Sequence, residues 1–205
     1  MKTSSRTTRR KPTDAGFSLV ELIVVVVIIG ILATMASYGY GKWIGRARRA
    51  EAVALLAEMS AKEQVYLMEF GAYLPLRADN TLTIDETPAA FYPISPANAD
   101  FDSRRTSTSI QDGALWPISW RNVGLRPRTS ALYCTYMLNA GPGDGAPLTT
   151  DYGTRLLNQP GVTARPWFYA LAACNFNGAG GLPDGVHVMG VTADSPVIRE
   201  FNEGE

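Results

Sequence analysis

Few residues in this chain have the types and spacing that chemistry needs, and the most telling is Glu21. It stands at the threshold of residues 22–41, twenty consecutive residues without a charge. A carboxylate buried there without a partner would cost several kcal/mol or take up a proton, so its presence asks for a counter-charge. Cys134 and Cys174 are the only two thiols, which allows one intrachain disulfide. A shared metal is the rival use, but neither lies in C-x-x-C spacing or close in sequence to the single histidine, His187. Val186-His187-Val188-Met189 alternates as a strand does and makes His187 an ordinary strand residue. The sequence carries no G-x-S-x-G, H-E-x-x-H, P-loop or dinucleotide fingerprint, and nothing orders its serines, acids and His187 into a triad. The expectation is a chain with no catalytic residue, no metal ligand and no cofactor, and therefore not an enzyme.

The element that must position Glu21 is the apolar run behind it. As a helix rising about 1.5 Å per residue, twenty residues span roughly 30 Å, one hydrocarbon core. The run is too long for a secretory h-region of about 7 to 15 residues, and no small-x-small cleavage site follows it. It reads as a transmembrane helix. Ahead of it, Lys2, Arg6, Arg9, Arg10 and Lys11 against Asp14 put +4 on the first sixteen residues, and the remainder carries 14 basic and 18 acidic residues. Such a mildly acidic product has no general pull on nucleic acid, so no nucleic-acid partner is expected. The basic leader votes for a cytoplasmic N-terminus, although Lys42, Arg46, Arg48 and Arg49 flank the other end and weaken that vote.

Gly16-Phe17-Ser18-Leu19-Val20-Glu21, followed by a Val/Ile-rich run with Gly30 inside it, resembles the N-terminal signature of type IV pilins and the related pseudopilins. The resemblance is specific over residues 16–36 and structural beyond residue 71. It implies that residues 1–16 are a leader cut after Gly16 by an inner-membrane prepilin peptidase, and that the new amino terminus, Phe17, is methylated. It assigns Glu21 to subunit assembly and places the C-terminal part in the periplasm, an oxidising compartment that permits a Cys134–Cys174 disulfide. The partners it implies are other pilin subunits in a helical filament, the peptidase, and an inner-membrane assembly platform with its cytoplasmic ATPase. Members of the family usually have a proline where Tyr38 stands here. Gly39 and Gly41 offer local flexibility instead, which leaves a kink between residues 30 and 41 open.

The remaining chain divides by composition. Residues 17–41 form the membrane and assembly half of the helix. Residues 42–71, without proline and rich in Ala, Glu, Leu, Met, Lys and Arg, continue it as an amphipathic half. There Glu51, Glu58, Lys62 and Glu69 share a narrow polar strip, and the broad remainder is mainly apolar, enough to cover the chain's own sheet and still meet neighbouring helices. The helix is expected to end near Gly71, where Phe70-Gly71-Ala72-Tyr73-Leu74-Pro75 resembles the aromatic-Pro turn of pilins. Residues 72–130 read as a proline-punctuated loop region with short strands near residues 110–120, and the loosely clustered Arg104, Arg105, Arg121, Arg126 and Arg128 read as solvated loop charges. Strand signals follow at residues 131–138, 167–174, 186–191 and 197–201. The fold class is α+β: one long N-terminal helix packed on a C-terminal antiparallel sheet formed within residues 131–205. Residues 175–181, Asn175-Phe176-Asn177-Gly178-Ala179-Gly180-Gly181, resemble a calcium turn with both acids replaced by asparagine. A glycine-rich turn with at most weak calcium affinity is expected there.

The resulting reading is a structural subunit, major or minor, of a type IV pilus, held in the inner membrane before assembly and at the cell surface after it. It would support adhesion or twitching motility. A type II secretion pseudopilin and a binding module at a pilus tip remain the alternatives.

Overall fold

The computed structural model describes residues 18–93, 116–127, 132–157, 164–174 and 186–203. Gly16, Phe17, residues 110–115 and the turn at residues 175–181 lie outside them. The chain divides into two units, residues 1–44 and 45–205. One helix, α1, runs from Leu19 to Phe70 through the division. It contains no proline and continues through residues 30–41 as far as Gly71, where φ of 73° and an N–H donated to the Leu67 carbonyl end it.

In the N-terminal unit no side chain between Leu19 and Ser37 is buried. This stretch meets the length and apolarity of a membrane span. The Thr34 hydroxyl donates to the Ile31 carbonyl at 2.7 Å, so this polar side chain inside the run is satisfied by its own helix.

In the C-terminal unit, strands β1 (Thr135–Gly141), β2 (Trp167–Cys174), β3 (Val186–Thr192) and β4 (Ser195–Glu203) form an antiparallel sheet in that order. Alternate side chains go to opposite faces and build two cores. On one face Tyr136, Leu138, Phe168, Ala170, Ala172, Met189 and Val191 pack with Ala52, Leu55, Leu56 and Met59 of α1. Those helix positions follow the three-and-four spacing of one buried stripe. The small Ala170 and Ala172 make room for the larger helix side chains. On the other face Met137, Trp167, Tyr169, Leu171 and Val188 pack with Phe91, Tyr152, Leu156 and Leu157. This second covering comes from residues 88–93 and from a short helix, α3 (Asp151–Leu156), which the sequence did not announce.

The sheet edges differ. β1 is flanked by single-residue bridges, Leu76 to Leu138 and Tyr92 to Tyr136, each with a reciprocal pair of backbone hydrogen bonds of 2.8 to 3.0 Å. β4 is the opposite edge and contains Pro196, Arg199 and Glu200.

Two expectations need correction. Where strands were expected near residues 110–120, the described part holds a short helix, α2 (Ile118–Asn122). Trp116, Ile118 and Trp120 alternate as in a strand, but five residues of period two cannot exclude one helical turn. Pro117 precedes the helix, and the Asn80 side-chain oxygen accepts the Ile118 N–H, one of the donors a helix start leaves open. The first strand also begins at Thr135 and ends at Gly141, later than the expected residues 131–138.

Candidate functional site

Glu21 lies in the first turn of α1, exposed, with the Leu22 N–H donated to the Ser18 carbonyl beside it. The unpaired N–H groups of a helix start favour a carboxylate there. Its expected partner, the amino group of Phe17 after cleavage, belongs to the residues outside the description, as does Gly16. What the described part does place is a carboxylate at the start of an apolar surface that none of the described residues covers. Gly30 lies on that surface, and a methyl group added there would meet no other side chain within 4 Å. Nothing among the described residues requires that glycine.

Within the C-terminal unit, polar side chains of α1 tie the helix to the strands and loops. Glu51 Oε1 accepts the Tyr133 N–H at 3.3 Å, and the Arg48 guanidinium lies over the Tyr133 ring, 4.5 Å from its centroid. Arg49 pairs with Glu200 of β4 at 3.3 Å. Gln64 donates to the Ala193 carbonyl in the β3–β4 turn at 3.2 Å. Glu63 is fully buried: its Oε2 accepts the Leu74 N–H at 2.8 Å, whereas its Oε1 has no hydrogen-bond partner. Burial pushes this carboxyl up to about 7, against the Leu74 bond that lowers it. Sequence reasoning missed Glu63. The available signal was its place four residues beyond Met59, on the stripe that Ala52, Leu55, Leu56 and Met59 bury.

Cys134 and Cys174 form a disulfide with Cα atoms 4.4 Å apart. The pairing follows from register, because Thr135 faces Ala173 and the preceding position therefore faces Cys174. Both sulfurs lie in the core shared with α1. On the opposite face the buried guanidinium of Arg77 gathers the helix-to-sheet segment. It binds Asp79 through two nitrogens at 3.0 and 2.6 Å, both carboxylate oxygens of Asp85, the Asp85 carbonyl and Asn139 Oδ1. The Arg77 bonds hold the Asp79 carboxyl below its ordinary range. Asn139 passes the network to the Tyr169 hydroxyl, which bonds Thr150. Glu86 accepts the Tyr152 and Gly153 N–H groups at the start of α3. These contacts bind loops to the sheet.

Among the described residues no group of three or more His, Cys, Asp or Glu could hold a metal ion. His187 lies in β3 opposite Cys174 in register. Arg121 and Arg126 are exposed, and Arg104, Arg105 and Arg128 lie outside the described residues.

Residues 11–37 match the family model of the prokaryotic N-terminal methylation motif. The chain is 27% identical over 110 residues to a type IV major fimbrial protein FimA of Dichelobacter nodosus, covering 54% of this chain and 69% of that protein. It is 28% identical over 102 residues to the type IV major pilin protein PilA of Myxococcus xanthus, covering 50% and 46%. With the fimbrial protein EcpC of Eikenella corrodens it shares 33% identity over 63 residues, 31% and 41% of the two chains. No solved structure gives a significant match. A methylation motif opening a long apolar helix, on a fold that closes that helix against an antiparallel sheet, defines a pilin-like subunit. In sequence the chain is similar to these type IV fimbrial and pilin proteins.

Proposed function

We propose that this protein is a structural subunit of a type IV pilus, working through assembly rather than catalysis. The observation that carries the reading is the N-terminal half of α1: apolar enough to span a membrane, uncovered by the described residues, and opened by a methylation motif. Lipid covers this surface before assembly and other subunits cover it afterwards. Prepilin peptidase cuts after Gly16 and the Phe17 amine is methylated. The subunit is held in the inner membrane with its C-terminus in the periplasm until the assembly platform and its ATPase move it into the filament.

Glu21 is the counter-charge of the Phe17 amine in an apolar bundle, within one subunit or between neighbours. Between neighbours the pair also sets axial register, since a slipped subunit would leave both charges unpaired. Mass spectrometry of membrane-extracted protein should find an N-terminus at Phe17 carrying one added methyl group, and a chain that still begins at Met1 would contradict the reading. Glu21→Ala should leave cleavage intact and lower incorporation into filaments in competition with unmutated subunits. Equal incorporation would remove Glu21 from the assembly mechanism.

A further inference from the structure

Tyr40 and Trp43 belong to the N-terminal unit, and neither is covered: they are 63% and 64% exposed. Their rings stack on each other with centroids 6.3 Å apart and planes inclined by 24°. Three positions apart on a helix they share a face, separated by about 4.5 Å along the axis. Left in water, rings of this size forgo the free energy of burying their apolar faces. Placed in hydrocarbon, the tyrosine O–H and the indole N–H would lose their hydrogen-bond partners, which disfavours that depth. The surroundings that suit both parts of such a pair are apolar on one side and wet on the other.

Their position along α1 selects such a layer. Glu21 and Lys42 are the charges that bound the uncharged run, and 21 helical steps separate them by about 32 Å, close to the roughly 30 Å of a hydrocarbon core. Tyr40 and Trp43 bracket Lys42, about 3 Å and 1.5 Å from its level along the axis. Trp43 therefore falls within the roughly 5 to 7 Å of carbonyls and headgroups on that side of a bilayer, and Tyr40 at the boundary of that layer with the hydrocarbon. We infer that Tyr40 and Trp43 form an interfacial anchor that binds the carbonyl and headgroup layer of the membrane lipid and fixes the depth of α1 at the Lys42 end of the span. The stacked pair presents one broad apolar surface to the acyl chains, with a hydroxyl and an indole N–H available to lipid carbonyls and water. The anchor rests on the reading of α1 as a membrane span before assembly. It adds a depth at which the subunit waits, and an aromatic contact that has to be broken when the subunit leaves the bilayer.

The test uses the full chain in phospholipid vesicles and the difference in fluorescence between wild type and Trp43→Phe, which isolates Trp43 from Trp116, Trp120 and Trp167. Vesicles carry bromine either close to the lipid carbonyls or close to the acyl-chain ends, and flotation is measured on the same samples. The expected result is a chain that floats with the vesicles and a Trp43 signal quenched more strongly by the shallow bromines than by the deep ones. A chain that floats while its Trp43 signal is quenched chiefly by deep bromines, or only by iodide added to the water, overturns the anchor and leaves the span standing. A chain that does not float overturns the membrane reading and the anchor with it.

Discussion

Glu63→Gln should stabilise the C-terminal unit at neutral and alkaline pH. Glu63 is fully buried, makes one hydrogen bond and leaves Oε1 without a partner. In the unfolded chain its carboxyl titrates near 4.5, and in the folded chain burial pushes it up to about 7. A folded value above the unfolded one means that the folded state holds the proton more tightly. The associated stability is thus complete below pH 4.5, declines as the pH rises toward 7 and is absent above it. The gap is worth about 3 kcal/mol at roughly 1.4 kcal/mol per pH unit. Glutamine keeps an oxygen for the Leu74 N–H and has no charge to desolvate. Its own amide N–H groups enter the same pocket, and an unmade hydrogen bond there returns about 1 to 2 kcal/mol. The expected net gain is about 1 to 2 kcal/mol at pH 8, or a few degrees in Tm for a unit of this size, with little or no gain at pH 4. Urea unfolding of the full chain in detergent, followed through the core tryptophans from pH 4 to pH 8, measures it. The difference between variant and wild type is the quantity to plot, because Glu51 is also raised by burial and Asp79 contributes with the opposite sign, below pH 4. A difference that stays constant across this range would refute the assignment of a buried, titrating Glu63.

The disulfide and the arginine cluster give two further expectations. Replacing Cys134 and Cys174 together by alanine should cost about 3 to 4 kcal/mol, because the bridge closes a loop with a sequence separation of 40. The native protein should give no alkylation under mild reductant until it unfolds, since both residues are buried. Arg77→Ala should cost about 3 to 5 kcal/mol by leaving Asp79 and Asp85 without their buried counter-charge. Arg77→Lys should recover only part of that, because an ammonium cannot reproduce the two-nitrogen grip on Asp79. Denaturant midpoints decide both comparisons.

The parts of the fold carried by local pattern were legible in the sequence. Residues 167–174 are a continuous apolar and aromatic run that buries both faces, and β2 has those bounds. The end of α1 follows from Gly71, one of the few positions with a positive φ. The parts that depend on distant partners were not legible. Asp151–Leu156 is short and contains Gly153, so its own propensity is weak. Its start is satisfied by Glu86, from the helix-to-sheet segment. Arg77 reads as one more loop charge until Asp79, Asp85 and Asn139 are brought around it. Tyr66 and Leu67 look as apolar as Leu55 and Met59, and only the placement of the sheet decides that the latter pair is buried.

The closed edges of the sheet have a bearing on how such a protein can polymerise. A chain that accumulates at high local concentration has two possible axes of growth, along its helices or along its strands, and strand-on-strand addition is the one with no natural stopping point. Here the outer rim of β1 is already taken by the chain's own Leu76 and Tyr92. On the other rim, Pro196 has no N–H to donate, and Arg199 and Glu200 would have to shed water for any incoming strand. The sheet therefore contributes rigidity without offering a template, and in the proposed filament monomer addition is left to the apolar length of α1 that the described residues leave uncovered. A lesion that freed the β1 rim, such as loss of the Tyr92 bridge, would open a competing route in which the same subunits aggregate instead of assembling.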